Sequence, residues 1–442
     1  MLKELSQDKN INYLLKGSSF NVIAKIFGIG FGFLTSVLIA RNYGSDLIGN
    51  VATITSTFTL LSLLALLGNQ TLVLKVLPEY IQNYSYSEAK RVYLRLLLIT
   101  SCFTCGVVST WMLLEKKSTF TLLQGLEKYV LLVAALLVLS VFREFNTKTL
   151  RGLGDYKIYS LFEFLPAILL GCIAIIAIGL KVPEMYFQYV YYLPLFIMSL
   201  LSFLFVKRVF DFRILKDNRS INRLNTLLSK TTLIRMSLPM LGVTLSTAII
   251  AHFDILMLNY FTSSSTVGIY SIYVKIVSIT AIATQSINAM FAPTVSKLFS
   301  SNERSQLESY AKKVTLISFM TTLAVSVVVA ICLEPLLGLF GTDFLEEKIS
   351  IYILIIATLV SSFFGSVGLY LNMTGHQVYF FRIMIGAAVI NVFLNMLFIP
   401  LWGLKGAAFA TLFSVVAWKL LATRKIFKEH KYTLIWSGTP NA

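Results

Sequence analysis

Residues 314–332 read VTLISFMTTLAVSVVVAIC, nineteen consecutive residues without a single charge. About 20 apolar residues in a helix are what the hydrocarbon core of a bilayer requires. Runs of this kind recur from end to end of a 442-residue chain that is 56% hydrophobic and only 13% charged. Soluble domains carry about 25% charged residues. The composition therefore predicts an integral membrane protein and excludes a soluble enzyme or a disordered chain.

The apolar runs predict an all-α fold with twelve transmembrane helices. The predicted spans are 18–40, 51–73, 93–114, 126–142, 158–180, 186–206, 237–261, 267–291, 314–340, 349–371, 380–400 and 404–422. Each is about as long as one bilayer crossing or somewhat longer.

The net charge of +17 raises the question of nucleic acid as a partner, and the positions of the cations answer it. The spans alternate in direction, and a cation near the end of a span is counted with the adjoining segment. On this count 29 of the 38 Lys and Arg lie on the side of the N-terminus, 7 lie on the other side, and 2, Lys25 and Lys275, lie deeper within spans. This asymmetry is typical of the positive-inside rule and predicts that both termini are cytoplasmic. The charge therefore indicates topology, and no nucleic acid is expected as a partner.

The two halves of the sequence repeat each other. Leu14–Ser18 before the first span parallels Leu233–Ser237 before the seventh, and Ile48-Gly49 matches Val267-Gly268 at the same offset of 219 residues. Leu150–Gly154 likewise parallels Leu371–Gly375, at an offset of 221 residues. Two six-helix copies in the same orientation are typical of parallel-repeat transporters. The predicted domains are a six-helix bundle over 1–206, a basic cytoplasmic linker over 207–236, a second bundle over 237–422 and a cytoplasmic tail over 423–442.

The sequence offers little for catalysis. Its three histidines, His252, His376 and His430, are scattered, and no Cys/His cluster or H-E-x-x-H motif exists to bind a metal. No phosphate-binding G-x-x-x-x-G-K-[ST] loop is present. The predicted outer loops are short, so they leave no room for an extramembrane active site. We expect no enzymatic activity, no cofactor and no metal.

Charges within the spans are the main candidates for function, because an unpaired charge in lipid is costly. Lys25 and Glu163 lie at similar inner depths in the first half, and Asp254 and Lys275 lie at similar outer depths in the second. Two interpretations stay open: each couple is a structural ion pair, or at least one member faces an aqueous cavity.

Several short segments resemble the landmarks of one transporter family. They are Ile39–Gly49, Leu150–Asp155, Gly268–Tyr270, Phe340–Phe344, Leu371–Gly375 and Ile399–Thr411. Together they cover essentially the whole chain, which is similar to polysaccharide-lipid flippases of the O-antigen (Wzx) type. That family belongs to the superfamily of multidrug, oligosaccharidyl-lipid and polysaccharide exporters.

The resemblance implies a V-shaped pair of six-helix bundles that open alternately to either side of a bacterial inner membrane. The implied cargo is an undecaprenyl-diphosphate-linked oligosaccharide, such as an O-antigen unit for lipopolysaccharide biosynthesis. Lys25, Arg41 and Lys275 could supply cations for the diphosphate. Asp254 or Glu163 could load and unload a coupling ion, H⁺ or Na⁺. Proteins of polysaccharide assembly are possible partners.

Three alternatives remain. A multidrug or cation antiporter of the same superfamily would favour a negatively charged cavity, which Lys25 and Lys275 argue against. A flippase for another lipid-linked precursor, that of peptidoglycan, resembles a longer chain with additional spans. A membrane-embedded polysaccharide polymerase would need a large outer loop, and no predicted loop is large enough.

Overall fold

The computed structural model describes residues 9–117, 123, 125–217 and 230–435, and every regular element within these ranges is helical. The α-helices are α1 (Lys9–Leu66), α2 (Asn69–Asn83), α3 (Tyr86–Lys117), α4 (Val130–Gly152), α5 (Tyr156–Gly179), α6 (Glu184–Tyr191), α7 (Leu193–Leu215), α8 (Lys230–Phe261), α9 (Ser264–Ser300), α10 (Arg304–Ile331), α11 (Leu333–Gly338), α12 (Lys348–Phe363), α13 (Val367–Met373) and α14 (Gln377–His430). Two 3₁₀ turns, Glu127–Tyr129 and Thr342–Leu345, precede α4 and α12.

Ten helical stretches in the described part of the chain are long and apolar enough to cross a membrane. Two of them, in α1 and α14, each contain two predicted spans separated by one non-helical residue. Those residues are Gly44 (φ 79°, ψ −176°) and Gly403 (φ 54°, ψ −124°), whose backbone conformations are open to glycine and costly for residues with a Cβ. The ten stretches therefore account for the twelve predicted crossings, and the all-α membrane fold is confirmed.

Four predicted spans are interrupted where a continuous helix was expected. The predicted span 314–340 ends as α10 at Ile331 and continues as the short α11 from Leu333. The predicted span 51–73 ends with α1 at Leu66 and resumes as α2 at Asn69, while span 349–371 is divided into α12 and α13. Span 186–206 begins as the short α6 and continues as α7. Membrane helices tolerate such breaks where neighbouring protein groups satisfy the freed backbone atoms.

The chain forms two compact units. The first comprises Met1–Asn42 and Thr53–Leu245, and the second comprises Tyr43–Ala52 and Ser246–Ala442. Ten residues from the first half of the sequence thus pack with the second unit. Helix α8 contributes to both units, because the division falls between Leu245 and Ser246.

The core of the first unit contains a hydrogen-bonded chain across three helices. Tyr93 Oη on α3 donates to Asn146 Oδ1 on α4 over 2.9 Å, and Asn146 Nδ2 donates to Ser202 Oγ on α7 over 3.0 Å. Phe145 stacks beside Tyr93 with ring centroids 5.7 Å apart. Between membrane helices, side-chain hydrogen bonds and close packing supply much of the cohesion that the hydrophobic effect supplies in water.

The core of the second unit has a comparable polar contact. Thr284 on α9 lies 3.0 Å from Thr322 on α10, between their Oγ1 atoms, and Ser318 Oγ donates to Thr284 Oγ1 over 3.2 Å. Both units therefore hold their helices together with buried hydroxyl and amide groups.

Candidate functional site

Charged side chains of α4 and α5 form an ionic cluster in the first unit. Lys148 Nζ lies 3.2 Å from Glu144 Oε1 on the preceding helical turn and 3.5 Å from Glu163 Oε1 on α5. Arg143 Nη2 lies 4.0 Å from Glu144 Oε2. The cluster holds the ends of two adjacent spans together, because each carboxylate is placed beside a cation.

This cluster corrects the predicted end of the fourth span. The span was expected to end at residue 142, because Arg143 and the charges after it are typical of a loop. Helix α4 instead continues to Gly152. The spacing of Glu144 and Lys148, four residues apart, supports a helix in this region.

The site residues predicted in the first unit have different surroundings. Glu163 contacts Lys148 from α5, and its side chain is 35% exposed. Arg41 is exposed three residues before the break at Gly44. Lys25 lies within α1, but its side chain lies outside the described part of the structure. A pairing of Lys25 with Glu163 therefore stays a prediction.

Asp254 is the most deeply buried of the predicted site residues whose side chains the structure describes, with 3% of its surface exposed. Its Oδ2 accepts a hydrogen bond of 2.7 Å from Tyr270 Oη on α9, and its Oδ1 accepts one of 2.9 Å from the backbone N–H of Ile255. Lys275, predicted as a possible ion-pair partner, is half-buried further along α9. Within the described residues, the partners of Asp254 are thus neutral donors, and Lys275 is not one of them.

The amides of Asn391 and Asn395 are fully buried on α14. Asn395 Nδ2 donates to Asn391 Oδ1 over 3.1 Å. Asn391 Nδ2 and Asn395 Oδ1 have no hydrogen-bond partner within the described residues. The pair is thus bonded internally, with one donor and one acceptor left available.

Lys419 on α14 lies near the end of the predicted span 404–422 and was counted with the cations of the cytoplasmic side. It is buried, with only 5% of its surface exposed. Its Nζ donates to the carbonyl oxygen of Gly365 over 2.6 Å, between the end of α12 and the start of α13. A helix end leaves carbonyl groups without partners, and a cation is favourable there. Lys419 thus stabilises the interrupted span. The contact could not be predicted from the sequence, because a lysine at the end of an apolar run is common.

The backbone of segment 43–52 packs directly against the backbone of α9 where the two cross. A Cβ atom on Gly49 would lie 1.8 Å from the carbonyl oxygen of Ser264, and one on Gly268 would lie 2.0 Å from the carbonyl oxygen of Ser45. The Oγ atoms of Ser45 and Ser265 are 2.6 Å apart. Gly49 and Gly268 occupy equivalent positions of the repeat, so the crossing joins two copies of one motif.

No group of three or more His, Cys, Asp or Glu side chains is placed to bind a metal within the described ranges. The charged side chains of the candidate positions Glu163, Asp254 and Lys275 are carried by helices long and apolar enough to cross a membrane. What these positions can do chemically is to bind, neutralise and release charged species within a membrane.

Two family profiles match the chain. The profile described as "Polysaccharide biosynthesis protein" matches residues 14–299, and the MatE profile matches residues 239–397. The first covers more than half of the sequence.

Two archaeal proteins from Haloferax volcanii are similar in sequence. "Probable low-salt glycan biosynthesis flippase Agl15" is 27% identical over 165 residues, which cover 36% of this chain and 34% of that protein. "Probable flippase AglR" is 27% identical over 180 residues, covering 40% and 37% of the two chains. The aligned segment therefore spans only about a third of the length of each relative.

Solved transporter structures share the fold at low sequence identity. An inward-facing multidrug resistance MATE family transporter of the MOP superfamily aligns with a TM-score of 0.74 and 15% identity, over 94% of this chain and 99% of the other. The MATE multidrug transporter DinF-BH aligns with a TM-score of 0.67 and 16% identity, over 95% of each chain. The resemblance noted in the sequence is confirmed: the chain belongs to the polysaccharide biosynthesis protein family and has the fold of MOP superfamily transporters.

Proposed function

We propose that this protein is a flippase that moves a lipid-linked oligosaccharide across the membrane by alternating access. The observation that carries the proposal is the family match over residues 14–299, which spans nearly all of the first unit's described helices. The two flippase-named relatives support the same class of activity.

The proposed cargo is an undecaprenyl-diphosphate-linked oligosaccharide such as an O-antigen unit, transferred from the cytoplasmic to the periplasmic leaflet. A diphosphate within a membrane requires cations, and Lys25, Arg41 and Lys275 are the proposed ones. The sugars require hydrogen-bonding and aromatic surfaces, and the chain has 21 Tyr and 33 Phe residues with which to form them.

Asp254 is the proposed carboxylate for ion coupling, with Glu163 as the second candidate. Its described partners are a phenol and a backbone amide, so no cation beside it compensates its charge. A buried carboxylate in this setting gains stability when H⁺ or Na⁺ neutralises it. Glu163 already contacts Lys148, which makes it less dependent on an external ion.

We place the protein in the inner membrane of a bacterium, with both termini in the cytoplasm. The excess of Lys and Arg on one side of the spans supports this orientation. Proteins that polymerise or assemble polysaccharide at the outer leaflet are the proposed partners, because they would consume the translocated cargo.

Deletion of the gene tests the proposal directly. Long surface polysaccharide should disappear, while single lipid-linked units should accumulate on the cytoplasmic leaflet. A plasmid copy should restore the polysaccharide. Normal assembly and polymerisation in a deletion strain that has no other flippase would contradict the assignment.

Point variants test the proposed residues in that complementation assay. Asp254→Asn should retain membrane abundance and lose export, whereas Asp343→Asn, at an exposed carboxylate, should behave as wild type. Lys275→Ala should impair export, and Lys275→Arg should retain part of it. Export by Asp254→Asn at the wild-type rate would remove Asp254 from the coupling step.

A drug–cation antiporter is the second candidate function, favoured by the MatE match over residues 239–397. It predicts that expression of the protein protects a drug-sensitive strain from cationic dyes. We expect no protection, because a flippase of this family handles an anionic diphosphate. Protection without an effect on surface polysaccharide would favour the antiporter.

A further inference from the structure

A cavity of about 440 Å³ lies in the first unit, where the end of α4 approaches α2 and the start of α3. Its lining residues are Leu74, Pro78, Ile81, Gln82, Tyr86, Arg151, Gly152, Leu153 and Gly154. Apolar side chains of α2 contribute one part of the lining, and polar side chains of α2, α3 and α4 with the loop after α4 contribute the rest. The volume falls within the range typical of small-ligand sites.

The three polar side chains that line the cavity all have free donors. The Arg151 guanidinium lies over the Tyr159 ring, 5.4 Å from its centroid, and has no hydrogen-bond acceptor or ion-pair partner within the described ranges. Tyr86 Oη accepts a hydrogen bond of 3.2 Å from Arg213 Nη1, which leaves its own O–H to donate. The Gln82 amide is exposed and likewise has no bonded partner among the described residues.

Two backbone acceptors of the lining, by contrast, are already occupied. The carbonyl oxygen of Leu153 accepts from Arg213, and that of Arg151 accepts from the N–H of Gly154 over 3.0 Å. Arg213 is in turn fixed by Asp155 Oδ2 at 2.7 Å. Burial raises the pKa of the Asp155 carboxyl above its usual value, and the Arg213 guanidinium partly offsets that rise.

The cavity therefore presents several free donors, one of them charged, and its lining contains no acidic side chain. This arrangement suits an anion. A guanidinium binds phosphate oxygens in a bidentate geometry, and its charge strengthens each hydrogen bond. The single positive charge of the lining matches the single negative charge of a phosphate diester.

The apolar part of the lining indicates what the phosphate is attached to. Leu74, Pro78 and Ile81 would gain nothing from a free phosphate ion, but they can pack against glycerol carbons and the start of an acyl chain. We propose that this cavity binds the headgroup of an anionic phospholipid, with Arg151 on the phosphate. Arg151 also lies on the side of the spans predicted to face the cytoplasm, where cationic segments meet anionic headgroups. The proposal is independent of the transported cargo.

Lipid binding to the purified full-length protein tests this site. We would titrate phosphatidylglycerol into the protein in neutral detergent and count bound lipids by native mass spectrometry. Arg151→Gln should weaken binding of the tightest lipid by about tenfold, the usual effect of losing a hydrogen bond to a charged group. Arg151→Lys should retain part of the affinity, since it keeps the charge without the bidentate geometry.

Arg208→Gln is the matched control, because it removes one exposed arginine from the same unit without touching the cavity lining. It should bind phosphatidylglycerol as the wild type does. Equal losses in Arg151→Gln and Arg208→Gln would mean that net charge alone attracts the lipid, and would overturn the site.

Two further measurements separate a lipid headgroup from a free phosphate. Inorganic phosphate in excess should not displace phosphatidylglycerol, and Ile81→Trp should weaken lipid binding by filling the cavity while leaving Arg151 in place. Displacement by inorganic phosphate, or full binding by Ile81→Trp, would overturn the assignment to a phospholipid. The thermal unfolding midpoints of Arg151→Gln and Ile81→Trp show before the titration whether both variants fold.

Discussion

Substitution of Gly49 by alanine should open the crossing between segment 43–52 and α9. The new Cβ would lie 1.8 Å from the carbonyl oxygen of Ser264 and 2.9 Å from the backbone nitrogen of Gly268. Ordinary contact begins at 3.4 Å, so the two backbones must separate by about 1.6 Å. No side chain can rotate away to relieve this clash, because the atoms that are met belong to the main chain.

The cost follows from that displacement. Overpacking of a well-packed core costs about 1–3 kcal/mol, and we expect the upper part of that range for Gly49→Ala. Separation would also strain the 2.6 Å contact between the hydroxyl oxygens of Ser45 and Ser265. Gly268→Ala should have a similar effect, since its Cβ would lie 2.0 Å from the carbonyl oxygen of Ser45.

Thermal unfolding in detergent, followed by fluorescence-detected size exclusion, measures the effect. Gly106→Ala is the control: Gly106 lies within α3 with no atom within 4 Å of a new Cβ. Alanine there should stabilise the helix by about 0.5–1 kcal/mol. The double variant of Gly49 and Gly268 should cost less than the sum of the single variants, because either one opens the same crossing. A midpoint for Gly49→Ala equal to that of Gly106→Ala would refute the reasoning.

Three other predictions follow from the contacts of the second unit and from the charge distribution. Lys419→Met should lower the thermal midpoint, since a buried carbonyl at Gly365 left without its donor costs about 1–3 kcal/mol; an unchanged midpoint would show that water replaces the ammonium. Tyr270→Phe should destabilise the protein by about 1.5–3 kcal/mol, the usual contribution of a hydrogen bond to a charged group, and adding Asp254→Asn should recover part of that loss in the same assay. A reporter enzyme that is active only in the periplasm should stay silent when it is fused to the C-terminus; activity there would contradict the predicted orientation.

The number and order of the spans could be predicted from the sequence because apolar run length is a direct consequence of bilayer thickness. The ends of the spans could not be predicted in the same way. Arg143 and Lys148 were assigned to a loop by their charge, yet they continue α4 because Glu144 and Glu163 provide partners. Such pairing between helices is visible only in three dimensions.

The candidate site was predictable only in part, for a related reason. Asp254 stood out as a charge within an apolar run, and the structure shows its burial and its partner Tyr270. Lys419 did not stand out, because it lies near the end of an apolar run, where a lysine usually reaches the membrane surface. Its acceptor on Gly365 is 54 residues away in the sequence, so no local pattern signals the contact.

The internal repeat preserves the backbone contact of Gly49 and Gly268 but not the charges of Asp254 and Lys148. Gly49 and Gly268 are equivalent under the 219-residue offset and make reciprocal contacts. In the sequence alignment of the two copies, the same offset aligns Asp254 with Thr35, and the 221-residue offset aligns Lys148 with Leu369. Each charge thus occurs in one copy, and its counterpart is neutral. The two halves thus share a backbone geometry but differ in these charged side chains. They can therefore perform different chemical steps, because an ion bound by one copy has no equivalent site in the other. Under the proposed function, coupling through Asp254 belongs to the second unit alone, and loss of this carboxylate should not be compensated by any residue at the equivalent position of the first.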